Sequence, residues 1–318
     1  MVATFVTLDD INSASERIKG YAYRTPTYQA FSEKSSWFKL ECFQPVRSFK
    51  IRGASNKILS IPVSERPKGV ITASSGNHGL AVAYVSAKLG IKATIVLPES
   101  VIPAKLNMIR SLGARTVLQG TQQDERQVKA LEIQEREGQT FIQPFNDLDI
   151  IAGQGTCGLE IIEDVPEVEN LFVPIGGGGL ISGVASAMKL NDKSSHVKVI
   201  GVQPEGSPSM RQSWIRGELE SIEQSKTIAD GLSVRKPGSI TFAHVKKFVD
   251  DIILVSDEEI LKATERLIEE EHILAEPSGA ASFAGLEKLR SKKEIGTSVA
   301  IVSGGNISSE MLSKITAR

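Results

Sequence analysis

What most constrains this chain is a rhythm: from Gly69 onward, short apolar runs alternate with longer amphipathic ones. Residues 69–73, 92–97, 115–118, 170–175, 198–202, 252–255 and 298–302 read as strands, most of them rich in Val, Ile and Leu. Between them, residues 103–113, 122–138, 150–164, 207–217, 257–271 and 278–289 space their apolar positions as helices do, and so do segments ending at Gly90 and Leu190. Strands alternating with helices define an α/β fold. Strands without a polar face belong in mostly parallel twisted sheets with helices on both faces. Upstream, residues 7–20 read as a helix, 37–43 as a strand and 54–60 as a helix, while residues 220–244 read as irregular. The rhythm pauses at residues 64–67 and again near Asn146 and Asp147. We therefore expect a smaller unit, residues 66–147, inserted in a larger one made of residues 1–65 and 148–318.

Composition removes several classes of function. The 37 basic and 38 acidic residues leave a net charge of −1, which gives no electrostatic reason for a nucleic-acid or membrane partner. Two cysteines, Cys42 and Cys157, make neither a disulfide framework nor a metal cluster. No apolar run is long enough to span a bilayer, and the first residues carry no basic, apolar leader. A cytoplasmic protein acting on a small molecule is the expectation.

In open α/β sheets, ligands sit at the carboxyl ends of the strands. Three loops directly follow strands and consist of small polar residues and glycine. Gly176, Gly177, Gly178 and Gly179 form the first. Their N–H groups, together with a helix N-terminus, make a site for an anion such as one phosphate monoester. No window spaces its glycines as a dinucleotide fingerprint, and no Lys-Ser or Lys-Thr follows as in a Walker loop. The second loop, Ser74, Ser75, Gly76, Asn77 and His78, can cap a helix or bind a carboxylate. The third, Ser303, Gly304, Gly305 and Asn306, can cap a helix or offer the Ser303 hydroxyl to a ligand. Finally, Lys50 lies in the stretch Ser48-Phe49-Lys50-Ile51-Arg52-Gly53. It is either a solvated lysine or an amine nucleophile of lowered pKa, with Phe49 and Ile51 supplying burial and Arg52 a neighbouring cation. A lysine, a phosphate cradle, a carboxylate cradle and a neutral serine together suggest pyridoxal phosphate.

The motifs SFKIRGA (Ser48 to Ala54), SSGNHG (Ser74 to Gly79), GGGG (Gly176 to Gly179) and SGGN (Ser303 to Asn306) resemble those of fold type II pyridoxal-phosphate enzymes, the tryptophan-synthase-β superfamily. Their order and spacing are similar to the threonine/serine dehydratase and serine racemase family over nearly the whole chain. The continuation Ile51-Arg52-Gly53 is similar to the dehydratase branch rather than to cysteine synthases. The resemblance implies a two-domain fold and a homodimer. It implies that Lys50 carries the cofactor as a Schiff base and acts on the α-carbon proton, that Phe49 packs against the pyridine ring, and that Asn77 bonds the ring hydroxyl oxygen. Gly176 to Gly179 would hold the phosphate, Ser303 would face the pyridine nitrogen, and Ser74, Ser75, Gly76 and His78 would hold the substrate carboxylate. A serine, unlike an aspartate, leaves the ring neutral and a weaker electron sink, which favours loss of a β-hydroxyl.

The expected reaction is therefore α,β-elimination from L-serine, L-threonine or a related β-hydroxy amino acid, giving a 2-oxo acid and ammonia. In the resembling racemases a serine at the position of Ser75 is a second base, so racemisation is the alternative; helix capping or carboxylate binding are the other readings of Ser75. A cofactor-binding protein without turnover is a further alternative, against which Lys50, Ser75 and Ser303 all stand. The racemase-like metal site carries acids where this chain has Gln203 and Ser209, leaving Glu205 nearby, so no divalent metal is expected there. Glu276 and the pair Asp230-Gly231 match positions near the family's cofactor, whereas His196, His244 and His272 read as structural or solvated. The short tail after Asn306 leads us to expect no C-terminal regulatory domain.

Overall fold

The computed structural model describes residues 4–74, 76–121 and 123–316. The chain opens with α1 (Leu8–Arg17), β1 (Thr27–Gln29), β2 (Ser36–Leu40) and α2 (Lys50–Ser60). It continues through β3 (Val70–Ala73), α3 (Asn77–Leu89), β4 (Ala93–Leu97), α4 (Pro103–Ser111), β5 (Arg115–Leu118), α5 (Gln123–Glu137) and β6 (Thr140–Phe141). Then come α6 (Leu148–Asp164), β7 (Asn170–Pro174), α7 (Gly179–Leu190), β8 (Lys198–Pro204), α8 (Ser209–Arg216), α9 (Ser239–Phe248) and β9 (Asp251–Val255). Helices α10 (Asp257–Glu269) and α11 (Pro277–Arg290), strand β10 (Ser298–Val302) and helix α12 (Ser309–Thr316) complete the elements.

These strands form a six-stranded sheet, β1-β2-β10-β7-β8-β9, and a four-stranded sheet, β5-β4-β3-β6. Every pairing is parallel except that of β1 with β2. The expected α/β class with parallel sheets is what forms. Its cause is visible in the two faces of the larger sheet. Phe172, Ile200, Val202, Ala300 and Val302 point into one core with α10 and α11. The alternate residues Leu171, Val173, Val199, Val299 and Ile301 point into another with α6, α7 and α9. Both sets are apolar, so the sheet needs helices on each side. The smaller sheet divides in the same way, Val70, Ile95 and Leu97 on one side and Ile71, Ala73 and Val96 on the other.

Chain order in the larger sheet decides where the loops meet. β7 and β10 are neighbours and run parallel, with Asn170 opposite Ser298. Their carboxyl ends therefore lie side by side, and the loops at Gly176 and Ser303 open from the same edge. Helix α2 bridges toward the smaller sheet, because Ile51, Ala54 and Ile58 share a core with Val70, Ala81, Val82 and Ile95.

Four elements depart from the sequence expectation. The alternation over residues 37–43 ends as a strand at Leu40, and Glu41–Phe43 closes as a 3₁₀ turn. Helix α2 starts at Lys50 rather than near Ala54. It carries no side-chain cap; its start is set by tertiary bonding, with Phe49 N–H held by the Ser303 carbonyl at 3.1 Å. Helix α9 lies partly in the stretch read as irregular, again behind a Gly238 that offers no capping side chain. Strand β6 is two residues long and too short to signal itself.

Helices α6 and α7 approach closely at glycines. A Cβ on Gly183 would sit 2.2 Å from the Ile151 carbonyl oxygen and 2.5 Å from Gly155 N. Alanine improves helix propensity by up to ~1 kcal/mol, but overpacking against rigid backbone costs ~1–3 kcal/mol. Gly183→Ala is therefore expected to lower the denaturation midpoint. An unchanged or raised midpoint in chemical denaturation would show that the two helices separate freely.

Candidate active site

Lys50 is the first residue of α2, and the helix is anchored two residues later. Arg52 and Glu41 are almost wholly buried. The guanidinium donates to Glu41 through Nε (2.7 Å) and Nη2 (2.8 Å), and to Glu160 through Nη1 (2.6 Å) and Nη2 (2.8 Å). Lys39, fully buried, adds bonds to Glu160 (2.8 Å) and Asp164 (3.2 Å). Burial alone would push the Glu41 carboxyl up; the charge and bonds of Arg52, with Thr25 and Lys39, offset it and hold that carboxyl below its ordinary range. Arg52 thus faces away from Lys50 with its charge matched by carboxylates. It is not the cation that lowers the lysine, which corrects the sequence reading. Burial does that unaided, bringing the Lys50 amine down to about 8. Its Nζ donates to the Pro144 carbonyl at 2.9 Å and stands 5.1 Å from the Phe49 ring centroid.

Pro144 leads directly to the glycine loop. The next residue, Phe145, lies against it: a Cβ on Gly177 would come 2.3 Å from the Phe145 ring. On the other side, a Cβ on Gly178 would meet Met210 at 2.5 Å, and one on Gly176 the Gly231 carbonyl at 2.9 Å. Gly178 has φ +91°, a left-handed conformation open to glycine and strained for other residues. Thr241 donates to the Gly177 carbonyl at 2.7 Å and fixes the loop from below. Among the described residues, none accepts a hydrogen bond from the backbone N–H of Gly176, Gly177, Gly178 or Gly179. Gly177, Gly178 and Gly179 are buried. Buried N–H groups without protein acceptors at a helix N-terminus call for an anionic ligand.

The Ser303 loop is stitched to the lysine loop. Ser48 pairs with Gly304 in an antiparallel bridge, and Gly305 N–H donates to the Arg47 carbonyl at 2.9 Å. The Ser303 hydroxyl is buried, and its one hydrogen bond among the described residues is a long 3.4 Å bond to the Ser278 carbonyl. Asn77 opens α3 beside this loop. Its Nδ2 donates to Glu276 Oε1 at 2.6 Å, and its Oδ1 accepts from Asn306 Nδ2 at 2.7 Å. Burial pushes the Glu276 carboxyl up, and the Asn77 bond only partly offsets this.

His78 follows Asn77. Its Nε2 lies 3.1 Å from the Ile142 carbonyl, which only accepts, so the proton is on Nε2. Burial, with the charge of Lys50, lowers the ring to about 3, so His78 is neutral and faces inward. The Ser74 hydroxyl accepts from Gly76 N–H at 3.4 Å, and a Cβ on Gly76 would meet open space. Ser75 lies outside the described residues. Elsewhere, Gln203 accepts from Arg211 N–H at 2.8 Å and Ser209 donates to the Val234 carbonyl at 2.6 Å. Gly231, beside Asp230, donates its N–H to Ser278 at 2.8 Å. His244 bridges Val6 N–H and the Ile240 carbonyl inside the core.

Lys50, the glycine loop, Ser303 and Asn77 therefore converge. The residues fit a phosphate ester joined to an aldehyde: unpartnered N–H donors for the phosphate, a desolvated amine for the aldehyde, and a neutral hydroxyl nearby. Sequence reasoning missed Pro144 and Phe145, which connect Lys50 to the cradle. The only signal was the pause before Asp147, whose side chain caps α6.

A family model described as pyridoxal-phosphate dependent enzyme matches residues 18–304. The chain belongs to that family. Among curated relatives, an L-threonine ammonia-lyase of Thermotoga maritima is 47% identical over 98% of this chain and 78% of its own length. The Escherichia coli (strain K12) protein named L-threonine dehydratase catabolic TdcB is 41% identical over 98% of this chain and 96% of its own. Among solved structures, maize serine racemase superposes with a TM-score of 0.92 at 36% identity, covering 99% of this chain and 98% of that one. The fold is thus that of fold type II pyridoxal-phosphate enzymes, and pyridoxal phosphate is the cofactor of this family member.

One consequence concerns the amine. Only the neutral form of Lys50 attacks an aldehyde, so its reactive fraction grows with pH and saturates once the pH exceeds its pKa. The rate at which unloaded chain gains visible absorbance with pyridoxal phosphate should rise with pH and level off above about 8. A midpoint near the ordinary value of 10.5 would show that the lysine is solvated.

Proposed function

We propose that the chain converts L-threonine or L-serine to the corresponding 2-oxo acid and ammonia. The observation that carries this reading is the Lys50 amine, lowered by burial and bonded to the Pro144 carbonyl, next to the Phe145 that lies against a loop of unpartnered N–H groups. The relatives named as threonine ammonia-lyase and threonine dehydratase support it.

When bound, pyridoxal phosphate supplies an electron sink for the bond electrons released at the substrate α-carbon. In our reading Gly176 to Gly179 would hold the phosphate, Phe49 would pack against the pyridine ring, and Ser303 would face the ring nitrogen without giving up a full proton. Asn77 offers an N–H to the ring hydroxyl oxygen. Ser74, Ser75, Gly76 and the backbone of His78 receive the substrate carboxylate at the N-terminus of α3. Lys50 takes the α-proton, a positioned base of this kind contributing ~10²–10⁴-fold. The β-hydroxyl then departs as water, and one water is taken up when ammonia leaves, so threonine and serine give 2-oxobutanoate and pyruvate with atoms balanced. The two sheets correspond, in this reading, to two domains, residues 66–147 and the remainder.

We further propose a homodimer. Edge strand β1 exposes Tyr28, and Phe31 just after it is 84% exposed. A monomer mass in sedimentation would overturn it. A cytoplasmic location is supported by two free, buried cysteines, Cys42 and Cys157, and no helix of the described residues is long and apolar enough to cross a membrane.

Racemisation is the second reading, supported by a serine at position 75 and by the likeness to maize serine racemase. One experiment separates them: 2-oxo acid release from a panel of β-hydroxy amino acids, with chiral analysis of the remaining substrate. We expect 2-oxo acid to dominate, Lys50→Ala to abolish turnover and visible absorbance together, and Ser75→Ala to remove any racemisation while leaving elimination partly intact. D-serine accumulating faster than pyruvate would sink the leading reading.

A further inference from the structure

Asn306 lies between the lysine-bearing loop and α3. Its Nδ2 donates to the Val46 carbonyl at 2.9 Å and to Asn77 Oδ1 at 2.7 Å. A backbone carbonyl only accepts, so the Val46 bond decides which end of the Asn306 amide faces these two partners. Both N–H groups of Asn306 are then engaged. The Asn77 atom that receives the second is necessarily its carbonyl oxygen, and the Asn77 Nδ2 turns toward Glu276. Glu276 could not make this choice by itself. Burial pushes its carboxyl up, and a protonated carboxyl donates to an amide oxygen as readily as a carboxylate accepts from an amide nitrogen. Of the two N–H groups on Asn77, one goes to Glu276; the other has no acceptor among the described residues.

The loop that carries Asn306 is itself fixed relative to Lys50. The Ser48–Gly304 bridge and the bonds from Phe49 N–H to Ser303 and from Gly305 N–H to Arg47 hold it there. Gly304 permits the approach, since a Cβ would lie 2.2 Å from Glu276 Oε1 and 3.3 Å from Asn77 Nδ2.

We propose that Asn306 is a positioning residue which, through the Val46 carbonyl, holds the Asn77 amide in the one orientation that presents an N–H to the cofactor's ring oxygen. This rests on the role given to Asn77 above. It assigns to the last motif of the chain a task distinct from that of Ser303: setting hydrogen-bond polarity across the junction of the two sheets.

The test uses Asn306→Asp, which removes both donors. A carboxylate at 306 accepts from Asn77 Nδ2, which turns the Asn77 oxygen toward the cofactor. The readouts are the visible absorbance of bound pyridoxal phosphate and its dissociation constant, measured by fluorescence titration of unloaded chain. We expect the band to move toward the near-ultraviolet and binding to weaken about tenfold, the worth of one net hydrogen bond. Asn77→Ala is the reference and should change both readouts at least as much. If Asn77→Ala changes them and Asn306→Asp leaves them as in the wild type, the inference fails and the role of Asn77 stands. If Asn77→Ala itself changes nothing, the role given to Asn77 fails. Should Asn306→Asp not fold, as judged by circular dichroism, Asn306→Ala decides in the same way: a band shift supports the inference, and a wild-type spectrum with wild-type affinity overturns it.

Discussion

The buried ion network around Arg52 is the constraint on which the arrangement of this protein depends. Arg52 is held bidentately by Glu41 and again by Glu160, and so joins the turn after β2, the first turn of α2 and the C-terminal part of α6. A network of this kind brings little net stability over apolar packing, because desolvating the charges costs nearly what their attraction returns. Its worth lies in geometry. A planar guanidinium with both edges engaged leaves α2 little freedom to rotate or slide, and Lys50 sits half a turn away on that helix. Breaking such a network leaves an uncompensated buried charge, typically at ~3–5 kcal/mol.

From that fixed point the site assembles through backbone rather than side chains. The Lys50 amine rests on a carbonyl of Pro144, the glycine loop is pressed by Phe145 and held by Thr241, and the Ser303 loop is bridged to Ser48. Rigid backbone suits a cofactor that brings its own reactive carbon, because the protein's task is then orientation and electrostatics. Among the described residues, desolvation alone lowers the amine. Its reactivity depends on keeping water out, and the histidine beside it is kept neutral for the same reason. A second positive charge in that space would be costly.

Much of this was legible before any coordinates. The α/β class follows from the apolar strands, and each of the three loops of glycine and small polar residues stands at a strand end as expected. Where reading failed, the cause was tertiary. Helix α2 begins at Lys50 because Ser303 anchors Phe49, a contact across about 250 residues that no local capping rule contains. Arg52 looked like a neighbour of Lys50 because the two are close in sequence; on a helix, residues two apart face different ways, and two carboxylates from other elements, Glu41 and Glu160, claim it. The fold's smallest strand and the helix behind Gly238 had no propensity or cap to announce them.

The sequence by itself determined the class of fold, the anion-binding character of one loop and the presence of a lysine suited to a carbonyl. These depend on residue type and on periods of two and 3.6, which are local. Only the tertiary structure decided that β7 and β10 are neighbours, and hence that the glycine loop and Ser303 open side by side. It also decided which way Arg52 faces and how the Asn77 amide is turned between Glu276 and Asn306. Those outcomes come from strand order and hydrogen-bond partners far apart in the chain, and long-range pairing leaves no mark on any short stretch of sequence.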